Sequence, residues 1–307
     1  MGMQKLLENF NLADFSFVSF QHLNIFDVRS KQRIPQNSRT AIAIIFPYYN
    51  KSAFGGNISA YCSVADYHIV VMEQLKSIIC ALKEAYPEYS FEPFVDSSPI
   101  DEVDMAVKGG LGVKGQNSLL ITEKWGSFVF IGEIITDMPY ETVLCDYTYC
   151  KGCGLCRKSC PGDAIVEVDT DCDCEDKVDS TKGCDAVAAY GEGDVLCNNT
   201  TTQHSINCEN CASFISQKKQ ELTDEQTAIL KRAKTIFGCD ICQKVCPHNK
   251  PLFDGTAQAA SWPNLFSGDI MNTVTAENVA GIYKQRPFGF RGLKVLERNI
   301  ELYNSGK

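Results

Sequence analysis

No stretch of the 307 residues is long and apolar enough to read as a transmembrane helix. The N-terminus lacks a basic segment followed by an apolar one, so no secretory leader is expected. Without secretion, the N-x-T triplets headed by Asn198 and Asn199 carry no meaning, and disulfides are not expected. Met1-Gly2 opens as a myristoylation signal does, but Leu6 stands where Ser or Thr is needed. Positive charge is also scarce. The net charge of −9 argues against a surface that coats nucleic acid, while leaving room for a local basic groove. The glycine-rich stretch Gly109–Asn117 is not closed by Gly-Lys-Ser/Thr and misses the G-x-G-x-x-G register, which excludes both common phosphate-binding turns. What remains is a soluble protein, expected in the cytoplasm, with 44% apolar and 22% charged residues.

Cysteine is abundant, at 16 residues, and its spacing is informative. Cys150-Lys-Gly-Cys153-Gly-Leu-Cys156-Arg-Lys-Ser-Cys160-Pro161 is a C-x2-C-x2-C-x3-C-P run. Two-cluster ferredoxins use this pattern: three thiolates hold one [4Fe–4S] cube and the fourth reaches the other. Pro161 then turns the chain away, because it fixes its own φ and donates no hydrogen bond. A partial copy follows at Cys239-Asp-Ile-Cys242-Gln-Lys-Val-Cys246-Pro247. It is one cysteine short, and Cys211 and Cys208 are the nearest upstream candidates. Structural zinc would use two C-x2-C pairs and has no need of the C-x3-C-P tail twice. Two [4Fe–4S] clusters are the expected cofactors.

Before the cysteine runs, apolar patterning alternates between strands and helices. Ala41–Phe46 reads as a buried strand stopped by Pro47. Residues 69–86 read as an amphipathic helix through Met72, Leu75, Ile79 and Leu82, with Cys80 taken as a small buried residue. Phe91–Val95 reads as a strand delivering Asp96, Asp101–Lys108 as a short helix, and Ser118–Thr122 and Ser127–Ile135 as strands. The fold class expected is α+β: an α/β domain with a mixed sheet over 1–139, a two-cluster ferredoxin-like domain over 140–250, and a helical extension over 251–307. The acidic, Cys-rich segment at about 163–207 is expected as a loop-like insertion, with Cys172, Cys174, Cys184, Cys197 and Cys208 open to a further metal. Thr223–Gln226 is a capping box for a helix expected to reach Phe237, with Gly238 as its stop. Residues 275–285 and 291–303 are expected as two final helices. The glycine-rich turn reads either as a tight structural turn or as room for close approach of a large flat ligand.

Six motifs together resemble the epoxyqueuosine reductase family, the cobalamin- and [4Fe–4S]-dependent enzymes of queuosine tRNA modification, related to reductive dehalogenases. They are Asp66-Tyr67-His68, Val95-Asp96-Ser97-Ser98-Pro99, Gly110–Asn117 with Ser118 following, Gly126–Ile134, Cys211–Ser216 and Gly238–Asn249. The resemblance spans about residues 40–300. It implies that Cys150, Cys153, Cys156 and Cys246 hold one cluster, and Cys160, Cys211, Cys239 and Cys242 the other. It further implies base-off cobalamin bound by the N-terminal domain, with Tyr67, His68, Gly112, Gly115, Asn117 and Ser118 around it and Asp96 as proton donor. An external electron donor would feed the clusters. Burial of Asp96 at a strand end is expected to raise its pKa.

Three positions depart from the family pattern. Ala65 stands where an Arg usually precedes Asp-Tyr-His. The family's Gly-Trp-Ile-Gly-Lys-Asn is here Gly112-Val-Lys-Gly-Gln-Asn117. The family's C-terminal helical repeats have no counterpart before Lys307. The cofactor machinery is therefore expected intact and the substrate end changed, with tRNA binding weak. The competing readings are a paralogue reducing a small molecule and a ferredoxin-like electron carrier without a substrate.

Overall fold

The computed structural model describes all residues except 1, 27, 143, 147, 169–202, 257–265, 267–269 and 307. Helix α1 (Met3–Glu8) leads into edge strand β1 (Asp14–Ser19), then β2 (Thr40–Pro47), whose eight residues are all buried. Helix α2 (Tyr67–Ala85) returns the chain to β3 (Phe91–Val95). After α3 (Glu102–Lys108) come the two-residue strands β4 (Val113–Lys114) and β5 (Leu120–Ile121), then β6 (Val129–Thr136). The four long strands form one sheet in the order β1-β2-β6-β3.

Every pairing in that sheet is antiparallel, so the expected mixed sheet is corrected. The reason lies in the β2–α2–β3 crossover. It makes β2 and β3 run the same way, as a helical crossover should, but leaves a gap one strand wide between them. β6 enters that gap in the opposite direction, pairing with both. Side chains alternate across the sheet with period two. Ile42, Ile44 and Phe46 pack beneath α2 with Val71, Leu75 and Ile78. Ala41, Ala43 and Ile45 face α3 and pack with Met105, Ala106 and Ile135.

The second half is built from short pieces around the cysteines. These are α4 (Leu155–Ser159), the paired strands β7 (Ile165–Val168) and β8 (Gln203–Ile206), α5 (Ala212–Ile215), α6 (Asp224–Ala233), α7 (Ile241–Lys244) and α8 (Lys250–Asp254). The β7–β8 ladder closes the two ends of the 163–207 segment, whose Cys172, Cys174, Cys184 and Cys197 lie outside the described residues. Helices α9 (Val279–Ile282) and α10 (Leu293–Ser305) fold back, so that Val279, Leu296 and Ile300 bury against Ile58, Cys62 and Phe237. No helix among the described residues is long and apolar enough to cross a membrane.

Other local expectations shift. The capping box at Thr223 and Gln226 is present, but α6 stops at Ala233 because Lys234 adopts a left-handed conformation, φ 50°. The helix expected over 275–285 shrinks to one turn plus a tighter turn at Tyr283–Gln285. Cys80 is exposed rather than buried, since it lies one residue past Ile79 and off the α2 stripe. Residues 1–40, weakly patterned in sequence, hold α1 and edge strand β1, whose side chains are mostly half-buried.

Candidate functional site

At the C-terminal end of β3 the backbone turns sharply. Asp96 takes φ 61°, a left-handed conformation that aspartate tolerates better than most residues, and Ser97 N–H donates back to Val95 O at 2.6 Å. The carboxyl is thereby aimed away from the sheet, toward the N-terminus of α2. Asp66 caps that helix, accepting from His68 N–H at 3.1 Å. The same carboxylate oxygen meets His68 Nδ1 at 2.7 Å, while Nε2 lies 3.4 Å from Asp96 Oδ2. One imidazole thus bridges two carboxylates.

The ring is held by stacking. Tyr67 lies against His68 at 4.1 Å and against Phe130 at 4.2 Å, and Phe130 stacks on Tyr48 at 4.3 Å. The ladder runs from the site into the core, because α2 presents its first turn to the inner face of β6. Burial opposes a charged His68, but its bonds to Asp66 and Asp96 and their charges prevail, raising its pKa to about 9. Burial pushes the Asp96 carboxyl up, yet the His68 bond and charge, the Tyr67 hydroxyl and the Arg291 charge together hold it below the usual carboxylate range. The expectation of a raised Asp96 is therefore corrected. Its side chain is 56% exposed, and an ion pair, rather than dryness, sets its state.

Behind Asp96 lies a residue that the sequence reading passed over. Glu133 is fully buried in the middle of β6, opposite Ala43 and Phe94. Ser98, two residues beyond Asp96, donates its hydroxyl to Glu133 Oε2. Burial above all, with the Asp101 charge, pushes Glu133 to about 8. The available signal was a single carboxyl in the otherwise apolar run Val129–Ile135. Asp101 caps α3, accepting from Asp104 N–H at 3.0 Å, which leaves Asp96 free of that duty.

The cysteines gather in two quartets. Cys150, Cys153, Cys156 and Cys246 line a cavity of about 110 Å³. Burial, then the charges of Cys150, Cys153 and Cys246, push the Cys156 thiol up. Burial pushes Cys239 to about 12, reinforced by Asp240, Cys211 and Cys160. Burial likewise lifts Cys242 to about 12, against a bond from Asn117 and with Cys239, Cys211 and Asp240 adding to it. Cys211 is the upstream cysteine in this group, while the Cys208 thiol turns to Ile206 O at 3.9 Å. Among the described residues no three Cys, His, Asp or Glu side chains close on a single metal ion.

The glycine-rich turn sits beside the quartets rather than beside Asp96. Gly115 and Asn117 line the first cavity, and buried Asn117 reaches Cys242 of the other group. A Cβ at Gly112 would fall 2.4 Å from Ile121 O, and one at Gly115 2.3 Å from Asn117 Oδ1. The space these glycines leave is filled by the chain itself, which is the tight-turn reading. Ser118 follows in a left-handed conformation, φ 60°, donating its N–H to Gly115 O at 2.9 Å. Of the six residues expected around one cofactor, Tyr67 and His68 thus adjoin Asp96, whereas Gly115 and Asn117 adjoin the cysteines.

Residues 29–97 match the family described as epoxyqueuosine reductase QueG, DUF1730, and residues 146–166 match the 4Fe-4S binding domain. The chain is 32% identical over 236 residues to an epoxyqueuosine reductase of Cyclobacterium marinum, covering 74% of this chain and 64% of that one. It is 28% identical over 285 residues to that of Leadbetterella byssophila, covering 90% and 81%. The chain thus spans just under two thirds of the first relative's length. In fold it resembles epoxyqueuosine reductase from Streptococcus thermophilus, with TM-score 0.69, 19% identity, and 99% and 80% of the two chains covered. It also resembles an epoxyqueuosine reductase crystallised with an epoxyqueuosine-modified tRNA-Tyr stem loop, with TM-score 0.71, 20% identity, and 99% and 80% covered.

Proposed function

We propose that this chain, a relative of the epoxyqueuosine reductases, is an oxidoreductase that removes the epoxide oxygen of epoxyqueuosine in tRNA. Removing that oxygen as water takes two electrons and two protons. The single observation that carries the reading is the clasp of His68 between Asp66 and Asp96 at a strand end. It keeps one mobile proton beside an open carboxylate. An electron carrier with no substrate has no use for that arrangement.

The cofactor reading is two [4Fe–4S] clusters and base-off cobalamin. Cys150, Cys153, Cys156 and Cys246 would hold one cluster, and Cys160, Cys211, Cys239 and Cys242 the other. The fit rests on two observations: four thiols share one cavity, and the charges around Cys239 and Cys242 come from Cys160, Cys211 and Asp240. For cobalamin the donor set bears on one point. Both His68 nitrogens face carboxylates, so this imidazole has no lone pair for cobalt, which suits a cofactor without a histidine ligand. Bound cobalamin supplies the low-potential two-electron chemistry. Tyr67 and His68 would wall its site, with Gly112, Gly115, Asn117 and Ser118 bordering it on the cluster side.

Within the chain, His68 orients Asp96 and carries the proton of the pair, which passes to the substrate through the Asp96 carboxylate. Asp66 holds the imidazole in place, and the Tyr67–Phe130 stack fixes its plane. The domain assignment is a catalytic unit over 1–139, a cluster unit over 140–250 with its insertion, and a helical extension over 251–307. An external one-electron donor would serve the clusters, in the cytoplasm and away from membranes. With −9 net charge, tRNA binding would be weak and its salt dependence shallow.

The test is anaerobic reconstitution with iron, sulfide, cobalamin and a chemical reductant, followed by incubation with an epoxyqueuosine-bearing tRNA stem loop. Mass spectrometry should show the nucleoside lighter by one oxygen. A fully loaded protein that leaves the nucleoside unchanged would overturn the assignment.

A further inference from the structure

Among the described residues, the two most exposed large apolar side chains are Ile69 and Phe290, each at 53%. Both flank His68. Ile69 follows it in α2, and the Phe290 ring meets the His68 ring edge-on at 5.8 Å. Phe290 arrives from the far end of the chain, in the tight turn Pro287–Arg291 that precedes α10. Its neighbour Arg291 lays its guanidinium over the same ring at 4.4 Å from the centroid. Arg291 is bonded only loosely, donating from Nη2 to Gln217 Oε1 at 3.4 Å, while its buried Nε has no hydrogen-bond partner among the described residues. One face of Phe290 is therefore backed by a flat cation, the ring meets that of His68 at an angle, and about half of the side chain is exposed.

From this geometry we infer that Phe290, backed by Arg291, is a stacking platform for an unpaired nucleobase of the RNA that presents the reacting group to Asp96. Proteins that read single-stranded RNA stack splayed bases on aromatic rings and on arginine planes, and here both lie together. The cation behind the ring also attracts the electron-rich face, which stiffens the platform. The inference rests on the tRNA reading above, and it names the residues that receive the loop.

The experiment uses holoprotein carrying both cofactors and measures anisotropy of a labelled tRNA anticodon stem loop at several salt concentrations. Cobalamin affinity is read separately by equilibrium dialysis. Phe290→Ala should weaken stem-loop binding by about tenfold or more. The salt slope should stay that of the wild type, because no phosphate contact is lost. Cobalamin affinity should be unaltered, and Phe290→Trp should restore stem-loop binding. Equal binding by wild type and Phe290→Ala would overturn this inference and leave the tRNA reading standing. So would a Phe290→Ala protein that loses cobalamin, since the ring would then serve the corrin. A wild-type holoprotein that does not bind the stem loop at all would overturn both.

Discussion

The surroundings of His68 and the two cysteine quartets are both crowds of ionisable side chains, but they are neutralised differently. His68 is a cation between two carboxylates, and the Arg291 charge also acts on Asp96, so opposite charges offset one another within the group. Around Cys239 lie Asp240, Cys211 and Cys160, every one negative when ionised. Burial and the neighbouring negative charges hold the Cys239 and Cys242 thiols protonated far above neutral pH unless positive charge is supplied from outside the side-chain set. In the cofactor reading proposed above, iron would supply it. One region would then be complete as folded polypeptide, and the other only as polypeptide plus metal.

The comparison is broken most severely by removing a thiol. Cys242→Ala should halve the iron content, from about eight to about four atoms per chain, and lower the unfolding temperature, because the cluster ties segments distant in sequence. Iron and sulfide assays with a thermal melt check this; full iron content would sink the quartet assignment. On the other side, Asp96→Asn should leave iron and cobalamin content untouched while turnover falls on the order of a hundredfold or more. If Asp96→Asn turned over at the wild-type rate, the proton would have another source.

A third outcome sharpens the comparison through pH. The raised His68 contributes stability that is whole below about 6.5 and is lost as pH climbs through about 9. The depressed Asp96 contributes above its unfolded value and loses its share on acidification. The pair therefore works between those limits, and turnover should fall on the alkaline side near pH 9. His68→Gln should abolish that alkaline limb while lowering the plateau. The smallest effect is expected from Ser98→Ala, which removes the donor to buried Glu133. Denaturant titration should show a loss of about 1 kcal/mol, with cluster content unchanged.

The cluster region was legible in sequence because ligand chemistry fixes residue type and spacing together. Cys150, Cys153, Cys156 and Cys160 fall within eleven residues, and Pro161 and Pro247 mark both ends. Strand β2 and helix α2 were legible too, through a continuous apolar run and a 3.6-residue stripe. What sequence did not reveal depends on partners far along the chain. The state of Asp96 is set by His68, 28 residues upstream, so burial alone gave the wrong sign. Glu133 looked like an interruption of a strand, and only the arrival of Ser98 gives it a role. That Gly112 approaches Ile121 and Gly115 approaches Asn117 too closely for a Cβ also needed the folded chain to be seen. Edge strand β1 has too little buried surface to leave a two-residue pattern.

The placement of β6 between β2 and β3 has a consequence for biosynthesis. β1, β2, α2 and β3 all leave the ribosome before β6, and the strand that joins β2 to β3 begins only at Val129. Translation at about 5–20 residues per second puts several seconds between the appearance of β2 and of its central partner. Through that interval the nascent chain carries strand edges with unpaired N–H and C=O groups, and the apolar run of β2 is one of them. A chain truncated just before Val129 should therefore aggregate rather than form a smaller sheet, and a chaperone that shields strand edges should raise the yield of the full-length protein. The strand that carries Glu133 and backs the Tyr67 stack is thus also the one whose arrival completes the sheet.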